Sequence, residues 1–473
     1  MRHHGRLGSG LILVLLVSWC GPLPTTAGAE GPGRAHGRYY EPVEVPGEVL
    51  VPLQGASLSK LAVYSFRKGS FSPLLFQIDE LTPEGSFILT LGPEANPDEG
   101  NGILDRQDLV VFMARDASEK APEGLAPEGA DLAVAVQLKD PVTGGQTWVY
   151  VARFPTAPSL CALKPVSVLI DQGGVFNFRF PTYGYDAIIN EQEKKPIPTI
   201  FINKLWVTPE AGGNGKNILD RQKIRGEISF LGGIIKVPIN EKIVSGGVVA
   251  YKPGPVRILI HSTMYPLLPL KIKGPRFYID SVMVDTLTLT TTIVDVPFDP
   301  GSLITEMTLS FGTDLSPEAK GMRYYNSTHL QGFPIDGEMD ESERKFNEAK
   351  DEWRLVTGAQ GTQIQFTRFD PKFLTDGKSY STYSDNEKEE RPPENYPGDI
   401  GYASDKIVVK SLPAGAYHIE TFGCVPYAFY RPEGLNREFL QEILQIATSP
   451  LEIEVQGKKA PNQAGQSRVL VKK

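Results

Sequence analysis

The sequence predicts a protein built mainly from antiparallel β-strands, and three observations carry that expectation. Glycine and proline are frequent, 47 and 39 of 473 residues, and they punctuate short apolar runs. Several of those runs alternate apolar and polar side chains with period two, most plainly Leu287, Thr288, Leu289, Thr290, Thr291, Thr292, Ile293 and Val294. Alternation with threonine on the second face describes a sheet with one wet side, the habit of antiparallel pairing. Helical spacing, by contrast, is confined to two stretches.

Strands are expected over 61–66, 74–78, 108–114, 132–138, 147–154, 257–262 and 279–296, where β-branched and aromatic residues gather. One helix is expected over 437–447, capped by Asn436, with Phe439, Leu440, Ile443 and Leu444 on one face. A second is expected over 341–353, where Phe346, Ala349 and Trp353 make a thin apolar stripe among charges. The length divides into two or three domains.

The first residues read as an export signal. Arg2, His3, His4 and Arg6 precede an apolar run at 11–17, and Ala27-Gly28-Ala29 offers a cleavage site before Glu30. That run is shorter than the about 20 residues needed to span a bilayer, and no later segment approaches that length. A lipid anchor on Cys20 is the competing reading; Trp19 is bulky for it. The expected location is therefore periplasmic or secreted. A formal net charge of −8 opposes nucleic acid or an anionic membrane as partner. The tail from Gln456 is basic and polar, and reads as disordered. Cys161 and Cys424 fit either a disulfide or two buried thiols.

The segment from Asn96 to Asp108 is rich in oxygen ligands and kinked by glycine. On the twelve-position calcium-loop template Glu99 falls at position 3, Asn101 at 5, Gly102 at the turn, Asp105 at 9 and Asp108 at 12. Pro97 fails at position 1, where Asp98 or Asn96 would serve after a one-residue slip. Asp98, Glu99, Asn101, Asp105 and Asp108 are thus the expected ligands of a structural Ca²⁺. A plain turn competes, because Asp and Asn beside glycine also bond nearby backbone N–H groups. The loop has a second copy. Gly100-Asn101-Gly102 precedes Ile103-Leu104-Asp105-Arg106-Gln107, and Gly213-Asn214-Gly215 precedes Ile218-Leu219-Asp220-Arg221-Gln222. Lys223 stands where the first copy has Asp108, so the second loop is expected to hold no metal, with Asn217 taking the left-handed position of Gly102.

Histidines beyond the leader are His36, His261, His329 and His418, without an HExxH or CxxC pair, which argues against a dedicated zinc site. GxSxG and Walker-type glycine sets are absent from the sequence. The C-terminal half concentrates cation, phenol and imidazole in Arg323, Tyr324, Tyr325 and His329, near Asp336, Glu338, Arg354, Tyr380 and Tyr383. A polysaccharide lyase needs a group to neutralise a uronate carboxylate and a Tyr or His to move protons; Arg323, Tyr325 and His329 are the catalytic candidates. Asp336 and Glu338 lie too close in sequence to serve as a glycosidase pair. A sugar-binding face is the competing reading. Asn326-Ser327-Thr328 is formally a glycosylation sequon.

Phe76-Gln77-Ile78-Asp79-Glu80, the acidic loop and Val111-Phe112-Met113-Ala114-Arg115-Asp116 together resemble a group of secreted bacterial proteins in which a PFQID strand leads through an Asp/Asn/Gly loop to a DELVFMARD strand. Leu75 replaces the proline of that pattern, and Leu109-Val110 departs from its Glu-Leu. Gly254-Pro255-Val256-Arg257 and Trp353 to Gly361 resemble pieces of large carbohydrate-active β-sandwiches. The resemblance implies a supersandwich of the galactose-mutarotase and polysaccharide-lyase type over 156–455, preceded by a small β domain over 30–155. Residues 1–29 would be the signal and 456–473 the tail. The leading functional expectation is a non-catalytic protein that holds a glycan or another extended polymer. A polysaccharide lyase acting on an acidic polymer and a structural component of a secreted assembly are the alternatives.

Overall fold

The computed structural model describes residues 36–158, 167–170, 175–189, 200–241, 243–267, 273–296, 304–346, 350–375, 377–390, 394–410 and 412–460. Antiparallel sheets dominate them, as expected, and the α-helices among them are Glu341–Phe346 and Arg437–Thr448. The leader and Cys161 lie outside the described residues, and no described helix is long and apolar enough to cross a membrane.

A nine-stranded sheet organises the chain, in the order Val244–Pro253, Ile258–Pro266, Arg276–Met283, Leu287–Val296, Gly415–Cys424, Gly361–Phe369, Arg354–Gly358, Arg323–Asn326 and His329–Pro334. Against one face packs a five-stranded sheet of Ile235–Ile239, Leu219–Phe230, Ile304–Leu315, Asp399–Val409 and Lys378–Asn386. There Ile228, Leu309 and Ile407 meet Val294, Tyr417 and Ile419. This pair of sheets is the expected sandwich. Among the described residues, the other face of the large sheet is covered at one end. Leu259, Leu287, Phe422 and Cys424 meet Leu109 and Val111 of the N-terminal region and Leu440 and Ile443 of the C-terminal helix.

The N-terminal layers close around Val43, Val45, Val110, Phe112, Val149 and Val151. Strand Glu452–Val455 pairs with Leu132–Lys139, and Ile453 and Val455 enter this core. The small domain expected over 30–155 is therefore completed by the far end of the chain. The tail expected from Gln456 begins as a hairpin: Gln456 (φ +50°) and Gly457 (φ +75°) turn it back into Lys458–Lys459. Residues 461–473 lie outside the described residues.

Asn436 caps its helix as expected, its Oδ1 accepting from the Phe439 N–H at 3.4 Å. The helix expected over 341–353 covers only Glu341–Phe346 among the described residues. It starts in a reciprocal cap: Asp340 accepts the Glu343 N–H at 2.9 Å and Glu343 accepts the Asp340 N–H at 2.7 Å. Trp353 instead leads into strand Arg354–Gly358 and is buried against the N-terminal region. One apolar stripe in the sequence thus serves two elements.

The duplicated loops are alike in detail. Asn101 accepts the Ile103 N–H at 2.9 Å and Asn214 accepts the Lys216 N–H at 3.0 Å, the same side-chain turn. Gly102 (φ +71°) and Gly215 (φ +74°) take the left-handed position. Asn217 does not, contrary to expectation, because the inserted Lys216-Asn217 comes after the turn. Its side chain bridges the Leu205 N–H and the Leu219 carbonyl instead.

Candidate functional site

In the first loop four of the expected calcium ligands, Glu99, Asn101, Asp105 and Asp108, engage polar groups of the protein itself. Asp108 is buried and accepts the N–H groups of Leu81 at 2.9 Å and Asp105 at 2.7 Å. Burial raises its carboxyl above the usual range, against those two hydrogen bonds. Asp105 accepts from the Asn101 amide at 2.7 Å, and Glu99 from the Asn96 amide at 3.0 Å. Asp98 and Glu99 sit exposed on a short turn, Pro97–Glu99. Glu80, outside the template, accepts the N–H groups of Asn101 and Gly102 at 2.9 and 2.8 Å. The three carboxylates that do converge among the described residues belong to the second loop's neighbourhood: Asp220, Asp314 and Glu394 offer oxygens within 4.8 Å of one another.

A built-in cation sits there. Lys223 is fully buried and bonded to both Asp314 and Glu394. Burial drives the Asp314 carboxyl up to about 7 in spite of Lys223, and burial with the facing Glu394 drives Asp220 to about 6. Asp220 also receives the N–H groups of Asn395 and Tyr396 at 3.0 and 3.2 Å. The cluster therefore clasps the segment around Glu394 to the five-stranded sheet.

Arg323, Tyr325 and His329 are not brought together. Strand alternation puts Arg323 and Tyr325 on one face, with the guanidinium carbon 5.9 Å from the ring centre. Tyr325 is buried beneath Gly332, where a Cβ would lie 2.5 Å from the ring. His329 stacks on Phe333 at 4.2 Å on the other face, beside Phe346. Pairing of the two strands brings their backbones together while the pleat turns His329 to the opposite face from Arg323 and Tyr325. Asn326 of the sequon is fully buried and bonded to Thr328, so it is no acceptor for a glycan in the folded chain.

The motif residues meet in buried staples between layers. Asp79 accepts from Arg257 Nε at 2.7 Å, from Lys252 at 2.9 Å and from the Gln77 amide at 2.7 Å. Gln77 in turn accepts the N–H groups of Val256 and Arg257 at 3.2 and 3.1 Å. Gly254 is needed there, since a Cβ would lie 1.9 Å from the Gln77 carbonyl oxygen. Arg257 also bonds Glu44. Arg115 grips Asp285 through two bonds of 3.1 and 2.6 Å. These groups fasten the N-terminal region to the sandwich; Asp79 and Arg257 are fully buried, and Arg115, Lys252 and Glu44 are partly buried.

The accessible chemistry lies on the open part of the nine-stranded sheet. The register sets His261, Asp280, Thr291, Glu420 and Arg368 in one cross-strand row, then Thr263, Tyr278, Ile293 and His418, then Arg276 and Asp295; Tyr265, two residues beyond Thr263, shares their face by strand alternation. Three rings on this face each carry a cation. Lys273 stands 4.9 Å from the Tyr265 ring, Arg276 5.8 Å from Tyr278, and Arg368 5.5 Å from Phe366. Arg276 also donates to the Tyr278 hydroxyl at 3.1 Å. The three cations are exposed and the rings half-buried. At the inner end His261 Nδ1 lies 2.5 Å from Asp280, and both are buried. The sequence pointed to strands here, but the rows arise from register between strands far apart in the chain.

No family model and no curated protein matches the chain. Among solved structures it is similar to a heparan sulfate lyase HepC mutant from Pedobacter heparinus, at 10% identity and a TM-score of 0.30 over 64% of this chain and 42% of that one. It is also similar to a heparinase III, the BT4657 gene product, at 10% identity and a TM-score of 0.30 over 65% and 42%. The chain thus spans about two fifths of the length of these structures. Likeness this loose assigns no reaction.

Proposed function

We propose that the protein is a non-catalytic glycan-binding protein of the periplasm or cell exterior that holds an extended polymer on the open face of the nine-stranded sheet. The observation that carries this reading is the set of three half-exposed rings, each paired with an exposed cation, on one sheet face. Aromatic faces accept the apolar faces of sugar rings, while Arg, Lys and carboxylates bond hydroxyl and acidic groups. The strands from Tyr278 to Phe366 are three steps apart, about 14 Å at the usual strand spacing, which suits a polymer better than a monosaccharide. A rigid sheet keeps the rings fixed, so little ordering entropy opposes binding.

The test is a binding screen of acidic polymers (heparan sulfate, alginate) and neutral ones, with absorbance followed for unsaturated products. Saturable binding that weakens about tenfold in Tyr278→Ala and Arg368→Ala, without turnover, is expected. Undiminished binding in both variants, or none to any polymer, would refute the assignment. Turnover would favour the lyase reading and direct attention to His261 and Asp280 on this face.

A further inference from the structure

We propose that the cleft between the two sheets of the sandwich binds the end of a linear aliphatic chain, admitted along the inner side of the hairpin Leu219–Phe230 and Ile235–Ile239. A cavity of about 50 Å³ lies between the sheets, lined by Ile224, Ile228, Ile239, Met264, Phe277 and Met307 among others. Among the described residues that line it, only Thr292 and Tyr265 carry a polar side-chain atom. Such a space does not hold water, which needs two to four polar partners. Gly226 lies between Ile224 and Ile228 on its strand and opposite Ile239 and Leu309, all four of which line the cavity, and it lets the Thr308 carbonyl approach to where a Cβ would stand, 2.4 Å away.

The apolar row does not end at the cavity. Along the hairpin, Ile228 pairs with Val237 and Phe230 with Ile235, so one face stays apolar to the tip. The row from Ile224 to Phe230 is about 20 Å long at the usual rise per residue. At the tip Leu231, Ile234 and Ile235 are 48%, 84% and 48% exposed, around the left-handed Gly232 and Gly233. The nearby charges, Lys236 and Glu227, pair with each other on the opposite face of the hairpin. Among the described residues an occupant therefore meets hydrocarbon from tip to cavity and no charge, which fits an alkyl or acyl chain with its polar head left outside. Met264 and Phe277 alternate along their strands with Tyr265 and Tyr278, so the cleft lies on the other side of the sheet from the Tyr278 and Phe366 rings, and Tyr265 alone borders both. Their tests are independent.

The experiment is a fluorescence titration of the full chain with cis-parinaric acid, followed by displacement with dodecanoic acid. Saturable one-to-one uptake is expected, with affinity reduced about tenfold or more by Ile228→Trp, which fills the cavity. Ile235→Asp places a carboxylate on the exposed approach and is expected to weaken uptake similarly. Because Ile235 is half exposed, that variant decides the matter should Ile228→Trp fail to fold. Absence of saturable uptake, or equal uptake by wild type and Ile235→Asp, would overturn the proposal. So would a dimer in sedimentation that takes up no probe, which would assign the apolar row to a second copy of the chain.

Discussion

Replacing Asp79 by alanine tests the idea that buried ion pairs fasten the N-terminal region to the sandwich. Asp79 is fully buried and accepts from Arg257, Lys252 and Gln77. Its loss leaves Arg257, itself fully buried, with Glu44 as its one charged partner among the described residues. Removing one member of a buried pair costs about 3–5 kcal/mol, because the remaining charge cannot return to water. Chemical unfolding at neutral pH, followed by circular dichroism and tryptophan fluorescence, measures that loss. The two probes should separate in the variant if the N-terminal region now unfolds first. Asp79→Leu combined with Arg257→Leu should recover most of the loss, since neither charge then stays buried alone. The pH dependence is a second handle. Burial pushes the Asp79 carboxyl up, but Arg257 and Lys252 outweigh it and hold it below its ordinary value. Its contribution is therefore present above the unfolded pKa of about 3.9 and fades as pH falls through the lower folded value. A change in stability below about 1 kcal/mol for Asp79→Ala, the size expected of a surface pair, would refute the reasoning.

The Lys223 cluster has the opposite sign. Asp314 at about 7 and Asp220 at about 6 bind protons more tightly when folded, so stability should fall as pH rises from about 4 to 7; thermal melts of Asp220→Asn and Asp314→Asn should show a flatter profile than wild type. Asp108→Ala should destabilise by about 1–3 kcal/mol even in chelator, because it strands two backbone N–H groups; a further loss seen only in calcium would support a metal in the first loop, and equal losses would count against it. Gly332→Ala meets both a positive φ of +70° and the Tyr325 ring, and should lower the unfolding midpoint by the equivalent of about 1–3 kcal/mol. Cys424 is a free, buried thiol whose pKa burial raises far above the usual value, so a thiol reagent should react only after denaturation.

Much of the fold was legible locally. The threonine alternation of 287–294 marks a strand, and Asn436 marks a helix start, because a period of two and a side-chain cap are short-range facts. The paired Gly-Asn-Gly turns were legible as a repeat, although the left-handed residue of the second copy was misplaced by an insertion. The candidate site was legible only in its ingredients. Arg323, Tyr325 and His329 looked like one constellation because they are neighbours in sequence, yet the pleat sets His329 on the opposite face from the other two. His261, Tyr278 and Arg368 did not look related, and register sets them on one face.

What the sequence by itself determined is what depends on neighbours along the chain: strand-forming periodicity, turn chemistry, capping and overall charge. Tertiary structure alone decided which charges lie together. Lys223 reads as a loss of function in a metal loop until the fold surrounds it with three carboxylates. Asp79 and Arg257 stand 178 residues apart, and only the docking of two layers makes each the other's counterion. Burial of a charge depends on every element packed around it, which no local pattern encodes.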